Sequence, residues 1–162
     1  MYKNHRFSDS FFSDDQKSIE AMIERETARI EEVLNLLEEI KTPSTRNIGL
    51  DGSRALWLVA LHNTGYKDAG SIVLKKMKRL YYKDKSQVFY PGIPYLVDMV
   101  MLRAKNFDHK AKQLYGTRRW YIKHKDGKEE TGNFPIVNPR QLGERRNKFD
   151  LPDKFRKCKH YK

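Results

Sequence analysis

The longest regular pattern of apolar positions lies near the start of the chain. Ile23, Ile30 and Leu37 recur every seven residues, with Ile19, Val33, Leu34 and Ile40 beside them, while Glu24, Arg25, Glu31, Glu32, Glu38 and Glu39 fill the other side. A stripe of that spacing predicts an amphipathic, acidic helix over 18–41, capped at Ser18 and ended by Pro43, which disfavours helical geometry at the residue before it. Two heptad cycles suit a contact inside a small bundle or a homodimer seam through residues 19–40 equally well; a long coiled coil needs more repeats. Residues 1–17, with Phe7, Phe11 and Phe12 as their only strong apolar anchors, read as a loose lead-in.

Three more helices follow from the pattern. One runs from about Ser53 to Asn63, with Asp51 or Ser53 as cap and Gly65 as stop, and is apolar around almost its whole circumference, which predicts a central position. The next, about 67–82, points Ile72, Val73, Met77 and Leu80 inward and Lys75, Lys76, Lys78 and Arg79 outward. A fourth opens at Pro94, a good first-turn residue, and reaches about Lys105. The pattern then changes. Residues 118–124 read as extended, Asp126-Gly127 is a hairpin turn, and a return strand over 129–134 closes at Pro135. A short helix is predicted over 138–148. The fold class is therefore mainly α: a bundle-like single domain with a core over 50–150, a small antiparallel β-hairpin at about 118–134, and a basic C-terminal tail over 151–162.

Composition narrows the functional classes. The 162 residues suffice for one ordinary core. With 2 Trp, 9 Tyr and 8 Phe, the chain has too much aromatic surface to bury for a wholly disordered protein. No apolar run is long enough to span a bilayer. The single cysteine, Cys158, excludes an intramolecular disulfide framework. A polar N-terminus without an apolar signal segment reads as cytoplasmic. The net charge of +12 is uneven: residues 1–41 hold 6 basic and 10 acidic residues (net −4), residues 42–162 hold 27 and 11 (net +16). A basic body of that kind attracts an anionic partner, nucleic acid or an acidic protein.

Two ionisable residues interrupt apolar helices. Asp98 stands within the run Tyr95–Leu102, and His62 follows Leu58, Val59 and Leu61. A carboxylate in such a setting must be paired, hydrogen-bonded or open to a polar cavity, because burying it alone costs several kcal/mol or more. One reading makes His62 a general acid/base, or a ligand-gripping donor, oriented by Asp98. The other makes the two residues a buried polar clasp between helices. The dipole at a helix C-terminus also favours a histidine there on its own account.

The segments Ala55-Leu56-Trp57-Leu58-Val59-Ala60-Leu61-His62, Pro94-Tyr95-Leu96-Val97-Asp98, Gln113-Leu114-Tyr115-Gly116-Thr117, Phe134-Pro135-Ile136-Val137-Asn138-Pro139 and Glu144-Arg145-Arg146 occur in this order. Over roughly residues 50–157 they resemble a bacterial domain family of unknown function. That family's pattern is a Trp-containing helix ending in Gln-His, a Tyr/Ala-Leu-x-Asp-Arg helix, a Gln-Leu-Tyr-Gly-Thr-Gln motif, a Pro-Ile segment and an Arg-Arg pair. Where it has Gln, Arg and Gln, this chain has Leu61, Met99 and Arg118. The resemblance implies a shared fold and a pocket around His62 and Asp98, with Trp57, Gln113, Tyr115, Gly116 and Thr117 as ligand-binding positions. It brings no reaction with it.

Arg118, Arg119, Trp120 and Lys123, with Arg145 and Arg146, form a third candidate: a basic surface with an aromatic for contact with nucleic acid over 118–162. The same pattern describes an ordinary amphipathic hairpin. Arg119 and His124 have the spacing of a helical ribonuclease pair, but on a strand an odd separation puts them on opposite faces. Cys158 and His160 are too sparse for a zinc site, and no phosphate-binding glycine loop is present, so neither a metal nor a cofactor is predicted. The preferred function is a binding module with a polar pocket at His62, Asp98 and Tyr115 and a basic surface for an anionic partner. The alternatives are a hydrolase or nuclease using His62, or a nucleic-acid-binding protein using 118–162.

Overall fold

The computed structural model describes residues 16–124 and 126–152. Most of the lead-in, including Phe7, Phe11 and Phe12, and most of the tail, including Cys158 and His160, lie outside the described residues. Five α-helices and one two-stranded antiparallel sheet make up the rest, as the hydrophobic pattern predicts: α1 (Gln16–Glu39), α2 (Thr45–His62), α3 (Ala69–Lys83), α4 (Gly92–Arg103), β1 (Arg119–Lys123), β2 (Glu129–Asn133) and α5 (Leu142–Asn147). No helix among the described residues is long and apolar enough to cross a membrane.

The core is built where α2, α3 and α4 meet. Val73, Met77 and Leu80 on α3 recur at i, i+4 and i+7 and are sealed against Leu56, Ala60 and Leu61 of α2 and Ile93, Leu96 and Val97 of α4. The helix α2 is longer than predicted. It gains a turn at Thr45–Ile48 and is interrupted at Gly49 (φ 70, ψ 170) before continuing. It is also less central, since Leu58 is exposed on its outer side. Ser53 is no simple cap: it is buried, and its Oγ accepts the Phe89 N–H at 2.8 Å, fixing the approach to α4.

The acidic helix α1 docks on its own chain. Ile30 and Leu37 are buried, Val33 packs on the main core, and Ile23, on the same heptad face, is 56% exposed. Glu31 fastens it to the α2–α3 connection by accepting from the Tyr66 hydroxyl and, at 2.7 Å, from Lys67 Nζ. The stripe that a homodimer seam over 19–40 needs is therefore spent largely within one chain. On α3, Ile72 is 39% exposed rather than inward, because α1 stands off from this flank of α3 and leaves a groove.

A second, smaller cluster forms from Leu102, Ala111 and Phe134, with Phe107 and Trp120 packed against it. It carries the hairpin, whose register pairs Trp120 with Gly132 and Arg119 with Asn133. The tail does not start at 151: Phe149 and Leu151 are buried in the main core.

Candidate functional site

Asp98 is completely buried on the inner face of α4, and its carboxylate is fully engaged. Oδ1 accepts the backbone N–H groups of Leu114 (2.7 Å) and Tyr115 (2.9 Å); Oδ2 accepts the N–H and the hydroxyl of Thr117 (both 2.9 Å). All four partners donate, as an acceptor-only carboxylate requires. Gly116 lies between them at φ +68, a backbone shape that favours glycine, and the turn there carries the Thr117 N–H back to the oxygen that Tyr115 leaves free. The resulting concavity of backbone N–H groups around a carboxylate has the logic of an anion nest, with the anion supplied by the protein.

Gln113 and the loop carbonyls are engaged as closely. Gln113, also completely buried, donates Nε2 to the carbonyls of Arg118 (2.9 Å) and Phe134 (3.0 Å) and accepts the Arg118 N–H at Oε1 (2.9 Å). Its backbone makes an isolated parallel bridge with Ile136, bonding Pro135 and Val137. Arginines of α5 take the carbonyls: Arg145 Nε donates to Leu114 O (3.0 Å) and its Nη2 to Val137 O (2.5 Å), while Arg146 donates to Tyr115 O (2.6 Å) and Pro152 O (2.9 Å). Carboxylate on the N–H side and guanidinium on the carbonyl side lock residues 113–118 between α4 and α5.

This geometry revises the His62–Asp98 pairing. His62 lies exposed at the C-terminal end of α2 and is not among the four donors to Asp98. A clasp does exist, but it joins a helix to a loop, and its donors are mostly backbone amides. Gln113, Gly116 and Thr117 are parts of that clasp. Tyr115 packs edge-on against Phe149 (centroids 5.5 Å apart), and burial, followed by the charge of Asp98, pushes its hydroxyl up from the ordinary tyrosine range.

Of the basic surface predicted at 118–162, the part over 153–162 lies outside the described residues, and four of the six named side chains in the described part are turned inward or partly buried. Arg145 and Arg146 point inward to carbonyls, and Arg146 is buried. Trp120 packs toward the smaller core. Arg119 Nη2 donates to Thr131 Oγ1 at 2.7 Å across the hairpin. Arg118 turns inward: desolvation lowers its pKa, against the pull of Asp98 and Tyr95. Of the six, only Arg119 and Lys123 are exposed. Arg118 Nε and Nη2, together with Trp57 Nε1, are the buried side-chain donors that lack a partner among the described residues. Trp57 itself is wedged between Phe89 and Tyr95, with centroids at 5.2 and 6.1 Å.

A separate group of cations, with no acidic residue among them, lies on α3, where Lys75, Arg79 and Lys83 are exposed. A groove of about 1100 Å³ runs between α1 and α3, with Leu34, Leu37 and Ile72 in its walls and Lys41, Lys67, Lys76 and Arg79 among its cations, against Glu31 and Glu38. Glu31 is already neutralised by Lys67, which together with Tyr66 holds its carboxyl below the usual carboxylate range. Lys76 Nζ donates to Leu37 O at 3.0 Å, tying the floor of the groove together. The sequence pattern marked Lys76 and Arg79, with Lys75 and Lys78, as an outer side of α3; it gave no sign that a groove would lie beside them. Comparison with family models, with curated proteins and with solved structures finds no significant match.

Proposed function

We propose that this chain is a non-enzymatic binding module that takes an anionic partner on the basic face of α3 and in the adjoining α1–α3 groove. The observation that carries the reading is one groove in which four cations, Lys41, Lys67, Lys76 and Arg79, meet two carboxylates, Glu31 and Glu38, with Glu31 already paired with Lys67. Lys75 and Lys83 extend the same positive surface into solvent. Surface cations grouped on one side raise the local concentration of an anion and speed its approach, an effect that salt screens. The hydrolase reading loses its support, since the acid/base residue and its orienting carboxylate are not assembled.

The test is binding of labelled polyanions at increasing salt. The paired substitutions Lys75→Glu and Arg79→Glu should abolish binding, while Lys105→Glu with Lys110→Glu, an equal change of charge at exposed positions off this face, should weaken it only slightly. Equal losses for both pairs, or no binding at low salt, would refute the assignment to α3. A second reading has one observation in its favour. The unpaired donors of Trp57 and Arg118 would suit a small acceptor-bearing ligand beside Tyr95, which is the polar-pocket expectation moved away from His62. In that case Arg118→Gln, and not the α3 pair, would remove binding.

A further inference from the structure

We infer that the anionic partner is a single-stranded nucleic acid, and that Tyr82 is the platform on which one of its bases stacks; this rests on the reading of the α3 face given above. Tyr82 is 80% exposed, far more than its neighbours in the aromatic cluster. Residues three and four positions apart on a helix are surface neighbours, so Arg79 and Lys78 flank the ring, with Lys75 two turns away on the same side. Its orientation is set from below. Tyr82 meets Tyr81 edge-on (centroids 5.7 Å, planes at 67°), Tyr81 stacks on the buried Phe149 (4.9 Å, 25°), and the Tyr81 hydroxyl donates to Lys148 O at 3.0 Å.

An acidic protein would use the cations and could bury the ring only against a matching surface of its own. A strand of phosphates and unpaired bases uses both, because every base has a π face and each phosphate a charge. A duplex keeps its base faces stacked on one another, so the ring selects for single strands. Any base satisfies it, which predicts weak sequence preference.

The experiment is fluorescence anisotropy on the full chain with a short labelled single-stranded oligonucleotide, using inorganic polyphosphate and poly-glutamate as base-free competitors. Tyr82→Ala should weaken oligonucleotide binding roughly 5- to 100-fold, the range for loss of one stacked base. It should leave polyphosphate binding and the far-UV spectrum unchanged, and Tyr82→Phe should bind as the parent does. If Tyr82→Ala binds the oligonucleotide normally while the Lys75→Glu, Arg79→Glu pair still abolishes binding, stacking is refuted and the charge reading stands. If the charge-reversed pair also binds normally, the charge reading falls as well. Displacement by poly-glutamate more readily than by an unlabelled oligonucleotide would refute the nucleic acid in favour of an acidic protein.

Discussion

Replacing Asp98 with Asn changes one atom's chemistry at a completely buried position, and the consequence can be worked out bond by bond. The amide oxygen can still accept from Leu114 and Tyr115, now as a neutral group. The amide nitrogen meets the Thr117 N–H donor to donor, and only the Thr117 hydroxyl can rotate to accept from it. One backbone bond to a charged acceptor is lost, at about 1.5–3 kcal/mol, and a buried N–H is left unpaired, so the total is about 3 kcal/mol. On a domain whose whole stability is about 5–15 kcal/mol this is a large fraction. For a chain of this size it lowers Tm by roughly 6–12 °C. Urea unfolding followed by circular dichroism measures it, with an unchanged m-value confirming the same unfolding reaction. Thr117→Val in a double-mutant cycle should couple to it, because both substitutions act on the same bonds. A loss below about 0.5 kcal/mol, the scale of ordinary surface substitutions, would refute the assignment of Asp98 as the anchor of the 113–118 loop.

Other outcomes follow from the same structure. His62→Ala should stay within about 0.5 kcal/mol of the parent by the same urea assay, since the ring is exposed and makes no bond to Asp98. Gln113→Leu keeps the volume but leaves the Arg118 N–H and two carbonyls without partners. It should cost about 3 kcal/mol or more and loosen the hairpin, read as lost amide protection in β1. Gly132→Ala would place a Cβ 2.3 Å from the Trp120 ring, so the indole must leave its seat and the Trp120 share of the near-UV circular dichroism should be lost while that of Trp57 remains. The Glu31 carboxyl is held below its usual range by Lys67 and Tyr66. Its contribution is therefore present above the unfolded carboxyl pKa of about 4.3 and lost as pH falls through the lower folded value. Protection factors in α1 should drop in that acid window, and Glu31→Gln should remove the drop.

Much of the architecture was legible because it depends on periodicity. The α3 pattern of Val73, Met77 and Leu80 has one helical solution, and Asp126-Gly127 between extended runs has one common hairpin. Asp98 was legible as a buried carboxylate needing partners, but not which partners. Its donors are backbone amides 16 to 19 residues downstream, and a backbone N–H leaves no mark in the sequence. A histidine at a helix end was the visible candidate, and it lost because its side chain faces outward, while its neighbours Leu61 and Thr64 are the buried ones. Arg145 and Arg146 were misplaced for a related reason: a guanidinium that serves buried carbonyls and one that waits for a phosphate are the same letter. Ile72 shows the limit of the apolar pattern, since its inward placement required α1 to close against α3, and α1 docks through Ile30 and Leu37 so as to leave a groove there. Of the cations read as an outer side of α3, Lys75 and Arg79 are exposed, while Lys76 and Lys78 are half-buried and Lys76 bonds Leu37 O; the exposure of Tyr82 beside them appears only once the helices are packed.

The most direct test of where this chain meets its partner is a nitrogen-15 NMR titration of the full protein with a single-stranded oligonucleotide. Chemical-shift changes concentrated on α3, at Lys75, Lys78, Arg79 and Tyr82, with residues 113–118 undisturbed, are the predicted result. Changes centred on Trp57, His62, Asp98 and the 113–118 loop, with α3 silent, would contradict it.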